Sequence, residues 1–369
     1  MEARIAQVAV KAGVSIATVS RAFAKPDMVS PKTRKRVYAA AEALNYSISR
    51  SATAMKTGHS FRIALLISED IATWFNANVF SGLNAVLAPA GYDIVIYQIE
   101  NPQERHDFFS TLPVRRNADA VIVSSFAIET DETQRLRSVH VPIIGINPPE
   151  PKACDASVGI DDRAGMRRMT EYLISLGHTD IAYISPIITT KLSHSAELRA
   201  LGFQDACNAA NSASSADAII PVDPHDNDQG PSLPIRAREL LFDEHAPHPM
   251  EQLADRIVQL GDDMPTALCC YADMCALPLA FALQRRGVAV PGRISLSGFD
   301  DAAYSEQYGL TTMHQDPRSL GQAAARITLN LINEQDEATP ENEAAPIDLH
   351  ELVELRLMPR ATTGTPASR

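Results

Sequence analysis

Several classes of protein are disfavoured by what this sequence does not contain. Its 369 residues include only five cysteines, Cys154, Cys207, Cys269, Cys270 and Cys275. The number is odd and no CxxC pair occurs, which argues against a disulfide framework and against a thiolate zinc site. No apolar run approaches the roughly 20 residues of a membrane span, and the first residues lack the apolar core of a secretion signal. The expected location is therefore the cytoplasm, with no membrane partner. A nucleophile elbow, a phosphate loop, a GxGxxG turn and a metal quartet are all missing. The acidic doublets Asp161–Asp162 and Asp300–Asp301 are no substitute, because neighbours in extended chain point to opposite faces. Neither an enzyme nor a cofactor is expected.

Hydrophobic residues make up 45% of the chain, enough for a small domain and one large or two medium ones. The net charge of −12 is unevenly spread. Residues 1–59 hold ten Lys/Arg against three acids, a net +7 that leaves −19 for the remainder. A basic head on an acidic body concentrates phosphate attraction at one end of the molecule and orients its approach to DNA.

That basic head has a reading element. Ile5, Val8 and Ala9 recur at helical spacing, Gly13 interrupts the pattern where a positive φ turns the chain, and Ser15 is placed to cap a second helix. In SIATVSRAF (15–23), Val19 points back to the first helix while Ile16, Ala17 and Arg21 lie on another face. Arg21 can bridge the O6 and N7 of a guanine, Ile16 and Ala17 can touch thymine methyls, and Thr18 and Ser20 suit phosphate oxygens. Ser30 and Pro31 then start a third helix with an apolar stripe of Val37, Ala41 and Leu44. This is a three-helix, helix-turn-helix head over 1–46.

The runs IAQVAVKAGVSIATVSRAF and VSPKTRKRVYAAAEALNY closely resemble the headpiece of the LacI/GalR family of bacterial transcription regulators. The resemblance implies a hinge helix over 47–60, which by itself reads as a small, basic linker. In that family the hinge folds on DNA, pairs with its dimer mate and wedges an apolar side chain into the minor groove. Met55 stands at the wedge, Ala52 where two hinges cross, and Arg50 and Lys56 flank them; Ile48 replaces the usual proline. A homodimer on a pseudo-palindromic double-stranded operator is implied. No leucine-heptad tail follows the closing GTPASR, so a zipper tetramer is not expected.

From Arg62 onward, continuous apolar runs of strand length alternate with helical segments: IALLI (63–67), DIVIY (93–97), AVIV (120–123), PIIGI (142–146), IAYIS (181–185) and RISLSG (293–298). Strands of this kind belong to parallel sheets covered on both faces. The family resemblance extends over this part through GYDIVIY, GIDDRAG, LISLGHTDIAYIS, RISLSGFDD and LTTMHQD. It implies an effector-binding and dimerisation domain over 61–369, a periplasmic-binding-protein-like α/β body of two doubly wound parallel-sheet subdomains. Crossovers are expected near 147–162, 298–304 and 311–318. Residues 212–250 and 334–346 exceed the family length and read as surface loops. In the first of these, His225, His245 and His248 have no metal-ligand spacing.

The resemblance places an effector cleft between the subdomains, lined at positions held here by Trp74, Phe75, Arg199, Ala272, Asp273, Asp300 and Gln315. Trp74 offers a flat face to a sugar ring, and Arg199 and Asp300 can bond hydroxyls. Ala272 replaces an asparagine frequent in sugar-responsive members, which removes one hydrogen bond to the ligand. The chain thus reads as a DNA-binding regulator, a repressor, controlled by a neutral sugar or related metabolite. A sugar-binding transport component and an enzyme with a DNA-binding head are the competing classes.

Overall fold

The computed structural model describes residues 5–24, 26–46, 58–115, 117–187, 195–217, 233–337 and 349–367. The chain divides into two compact units, Met1–Phe61 and Arg62–Arg369.

In the first unit, α1 (Ile5–Ala12), α2 (Ile16–Ala24) and α3 (Pro31–Glu42) share one core of Val8, Ala9, Ala12, Val19, Ala22, Val37, Ala40 and Ala41. The turn after α1 works because Gly13 takes φ 63°, a region costly for residues with a Cβ. The Arg36 guanidinium satisfies the end of α1 by donating to the carbonyls of Ala12 (2.5 Å) and Gly13 (3.3 Å). Ser30 caps α3 by accepting from the Thr33 N–H at 3.3 Å, and Pro31 takes the first helical position. Ile48, Arg50, Ala52, Met55 and Lys56 of the expected hinge lie outside the described residues.

The second unit contains two parallel sheets. Strands β1 (Arg62–Ile67), β2 (Asp93–Gln98), β3 (Ala120–Ser124), β4 (Ile143–Ile146) and β5 (Ala156–Gly159) form the first sheet. Strands β6 (Asp180–Pro186), β7 (Arg236–Phe242), β8 (Ala267–Cys270) and β9 (Ser295–Ser297) form the second, in the order β7-β6-β8-β9. After β10 (Thr312–His314), β11 (His350–Leu352) returns to the edge of the first sheet beside β5. Its order becomes β11-β5-β4-β3-β1-β2, and β12 (Arg356–Met358) pairs antiparallel with β10.

The inner strands β1, β3, β4 and β6 are buried on two sides, which is why they read as unbroken apolar runs. In β1, Ile63, Leu65 and Ile67 pack with Val79, Leu83 and Leu320 of the helices Trp74–Leu87 and Pro317–Glu337. Ala64 and Leu66 face Phe109, Leu112 and Leu136 on the other side. In β6, Ile181 and Tyr183 meet Met166, Met169 and Phe203, while Ala182 and Ile184 meet Leu253, Ile257 and Leu279.

Two helix pairs cross at glycine. A Cβ on Gly82 would overlap the Arg318 carbonyl, and one on Gly202 would overlap that of Arg163. The cost of glycine inside a helix, roughly 0.5–1 kcal/mol relative to alanine, is here offset by close packing.

Three expectations need correction. Residues 212–250 are not one surface loop: the helix Ser195–Asp217 runs into them, β7 is an edge strand within them, and the helix Pro249–Gln259 begins in them. His225 lies outside the described residues. His245 is exposed, and His248 precedes the helix at φ 51°. Residues 334–337 belong to the helix Pro317–Glu337, and most of the expected 334–346 loop lies outside the described residues. The chain leaves the first sheet after β5 and leaves the second near β10. Segment 298–304 is not a crossover, because Gly298 N–H bonds Thr311 O and Leu310 packs in the core of the second sheet. The remaining passage runs from β11 to β12, after which Thr362 O accepts from Leu296 beside β9. Among the described residues no helix is long and apolar enough to cross a membrane.

Candidate functional site

In the head, Ile16, Ala17 and Arg21 stand exposed on α2, whereas Val19 is fully buried. Ser15 Oγ accepts from the Thr18 N–H at 3.1 Å and shares a 2.9 Å hydrogen bond with the Thr18 hydroxyl, so both side chains are used in starting the helix. Ser20 is half-buried.

In the second unit, the C-terminal ends of strands from both sheets converge on one cleft, as doubly wound sheets favour. Ser68 and Glu69 follow β1, Ser124 ends β3, Asn147 follows β4, Tyr271 and Ala272 follow β8, and Asp300 follows β9. The cleft has a cavity volume of about 150 Å³. Trp74, Phe75, Arg199, Ala272, Asp300 and Gln315 all line it. Asp273 does not.

Arg199 is the hub. Its Nε donates to Asp162 Oδ1 at 2.7 Å, and its Nη1 donates to the Tyr271 carbonyl at 2.7 Å and to Asp300 Oδ1 at 3.3 Å. Its guanidinium carbon lies 3.7 Å over the centroid of the Phe299 ring. Burial opposes the charge, but the carboxylates of Asp162 and Asp300 outweigh it, so the arginine pKa is raised. One cation thus serves two anions. Burial pushes Asp300 up to about 7 against the pull of Arg199, with Asp273 and Asp162 adding to the rise. The two acidic doublets are not paired acids. Asp161 caps the helix Asp162–Ser175 while Asp162 is buried on Arg199. Asp301 bonds Arg360 (2.7 Å) and His314 (3.0 Å), away from Asp300. The reason is not extended chain, since Asp300 and Asp301 have φ 117° and 55°.

Asp273 is fully buried and accepts from Thr312 Oγ1 (2.7 Å), Ser305 Oγ (2.6 Å) and the Ala302 N–H (2.9 Å). It pins the segment that carries Asp300, and a Cβ on Gly298 would collide with it. Burial raises its pKa to about 6.

Residues missed by sequence reasoning complete the cleft. Asn147 donates to Asp162 Oδ2 at 3.0 Å and accepts from the Ile160 N–H at 3.0 Å, tying the first crossover to the arginine hub. Three cleft-lining polar atoms, Thr73 Oγ1, Ser124 Oγ and Gln315 Oε1, are buried with no hydrogen-bond partner among the described residues. Position at a strand end is the one sequence signal that points to Ser124 and Asn147.

A helix-turn-helix head joined to a two-sheet body with a polar cleft is the architecture of a ligand-regulated DNA-binding protein. The model for bacterial regulatory proteins of the lacI family matches residues 4–49, and that for a periplasmic binding protein-like domain matches residues 170–363. The HTH-type transcriptional repressor PurR of Actinobacillus pleuropneumoniae serotype 5b (strain L20) is 28% identical over 334 residues, 89% of this chain and 91% of that protein. The Lac repressor dimer bound to operator and the anti-inducer ONPF superposes with a TM-score of 0.73 at 24% identity, covering 99% of this chain and 100% of the other. The complex of the transcriptional regulator CelR with cellobiose gives 0.61 at 23% identity, with coverage of 98% and 100%. The chain belongs to the lacI family and is a DNA-binding transcription regulator.

Proposed function

We infer that this regulator is a repressor, acting in the cytoplasm as a homodimer on a pseudo-palindromic operator and controlled by a neutral carbohydrate in the cleft. The observation that carries the ligand reading is the convergence upon one cleft of three buried polar atoms, on Thr73, Ser124 and Gln315, that have no partner among the described residues. Each would cost about 1–3 kcal/mol if left unmet, and a hydroxyl-rich ligand meets all three. Trp74 and Phe75 supply apolar faces beside them. An anion has no place there, because Asp162 and Asp300 already balance Arg199 and Glu69 adds a further carboxylate.

Regulation follows from linkage. A ligand changes operator affinity only by its differential affinity for the two arrangements, commonly a coupling of about 1–3 kcal/mol. The cleft draws residues from both sheets, so occupancy favours their approach. The first sheet, whose β1 begins at Arg62, carries that change toward the head. Arg21 and the exposed face of α2 read bases, and the hinge around Ala52 and Met55, flanked by Arg50 and Lys56, bends the minor groove.

Thermal-shift screening of the full chain against neutral sugars, sugar phosphates and sugar acids, followed by operator binding with the hits, tests this. Neutral sugars are expected to raise the melting temperature and change operator affinity. A response confined to the anionic compounds would contradict the ligand assignment. Arg21→Ala, with its base preferences read by selection from random DNA, tests the head: preference at one guanine per half-site should relax.

A further inference from the structure

The polar cleft adjoins a second cavity. Tyr271 and Met274 are walls of both, and the second cavity has a volume of about 580 Å³ against about 150 Å³ for the first. Its chemistry is different: Phe242, Met250, Leu277, Pro278 and Phe281 line it. The Phe242 ring lies 6.3 Å from that of Tyr271, so the aromatic wall begins at the boundary with the cleft. Met274, Leu277 and Phe281 recur three to four residues apart on one side of the helix Asp273–Arg285. The cavity therefore follows that helix for about 10 Å away from the cleft. Met274 is 61% exposed and Phe281 48%. Large apolar side chains left open along a concave surface mark a groove that takes an apolar group. At the far end charge is neutralised, because Glu251 accepts from both Arg285 and Arg286. At the near end Glu244 adds a carboxylate.

We propose that the ligand is an aromatic glycoside rather than a free sugar: its sugar ring occupies the polar cleft, and an uncharged aryl aglycone occupies the adjoining apolar cavity beyond Tyr271 and Met274. The proposal rests on the carbohydrate reading of the cleft and deepens it. Continuity decides the occupant, since a group attached to a sugar in the cleft reaches the cavity across a wall that the two share. An aryl ring suits the lining. It can meet Phe242, Tyr271 and Phe281 edge-on or offset, and the thioethers of Met250 and Met274 make favourable contacts with ring edges. A second sugar ring fits poorly, because its hydroxyls would be taken from water into an apolar groove. An anionic aglycone is opposed by Glu244, while Arg285 and Arg286 are already held by Glu251.

The test uses the full chain and calorimetric titration with matched methyl, phenyl and 4-carboxyphenyl glycosides of glucose, galactose and mannose in both anomers. For the sugar that binds, the phenyl glycoside should bind about 10- to 100-fold tighter than the methyl glycoside, as burial of an aromatic group of that size implies. The added carboxylate should erase most of that gain. Leu277→Trp fills the cavity and should abolish the phenyl advantage, and Phe281→Ser removes an exposed wall and should reduce it about threefold or more. Neither Leu277 nor Phe281 lines the cleft, so affinity for the methyl glycoside should stay as in the wild type. A phenyl glycoside that binds no tighter than its methyl counterpart overturns the proposal, as does an advantage that survives in both variants. Sedimentation velocity tests the other occupant: variants that fall to monomers yet keep the phenyl advantage assign this face to a second copy of the chain and also overturn it. Failure of every glycoside to bind contradicts the carbohydrate reading of the cleft itself.

Discussion

Gln315 donates from Nε2 to Asp300 Oδ1 at 2.7 Å, while its own amide oxygen is buried in the cleft with no partner among the described residues. One end of the amide is therefore used to hold the carboxylate, and the other finds no partner among the described residues. Ser124 and Thr73 show the same incompleteness. A folded protein ordinarily pairs such groups, so their clustering in one cleft is what supports the proposed polar ligand.

Ser124→Ala separates stability from function. The Ser124 hydroxyl is buried with no partner among the described residues, so its removal should leave the unliganded protein as stable as before or more stable by up to about 1 kcal/mol. The same substitution should weaken the ligand roughly tenfold or more. Urea unfolding without ligand and a ligand titration read the two effects; a clear loss of stability would mean that the hydroxyl serves the fold.

Asp300 has a pH signature. Burial holds its folded pKa up at about 7, above the ordinary value of about 3.9. The folded state then binds more protons than the unfolded one between those values, so stability falls as pH rises from about 4 to 7. Asp273, raised to about 6, acts in the same sense. Asp300→Asn removes one contribution while Asp162 still neutralises Arg199. The variant should match the wild type near pH 4 and melt several degrees higher at pH 8, one kcal/mol being worth about 2–4 °C in a mid-sized domain. Equal melting temperatures at pH 8 would show that the carboxylate is not strained by burial.

His178 works in the opposite direction. It is fully buried between Thr266 and Ser295 and near the Gly364 carbonyl, and burial lowers its pKa. Between that value and the ordinary one near 6.5 the unfolded state binds more protons, so this contribution to stability is present above about pH 6.5 and lost as pH falls. His178→Gln should flatten the acid limb of a plot of stability against pH. An unchanged acid limb would assign the loss to other groups.

Gly202→Ala and Gly82→Ala oppose two rules. Helix propensity alone predicts a gain of about 0.8–1 kcal/mol. The overlap of the new Cβ with a neighbouring backbone carbonyl predicts a loss of about 1–3 kcal/mol or more. The second should win, because a backbone carbonyl cannot move aside as a side chain can. Urea midpoints that rise for either variant would contradict the close crossing.

Much of this was legible in the chain itself. The strands buried on both faces, β1, β3, β4 and β6, read as continuous apolar runs because each side chain meets a core. Gly13, Ser15, Ser30 and Pro31 marked the head's turns and caps through local geometry alone. What escaped was set by tertiary context. RARELLF carries charged residues because β7 is a largely exposed edge strand, and it sits in a polar stretch that resembles a loop. Strand β5, Ala156–Gly159, is made of small residues that carry little apolar signal. In the cleft, Asp300 was accessible from its place at a strand end. The roles of Asn147, Ser124 and Thr73 depend on which partners they have or lack, a property of the packed structure that no local pattern encodes.

The most direct test of the central claim is equilibrium operator binding by the full chain, with and without a neutral sugar identified by thermal shift, for the wild type and for Asp300→Ala. The account predicts that the sugar shifts the wild-type operator affinity by about 5–150-fold. Asp300→Ala should bind the operator as the wild type does without sugar, and its dose response should move by about one to two decades or vanish. An identical sugar response in a folded Asp300→Ala protein, or operator affinity that no sugar bound in the cleft alters, would contradict it.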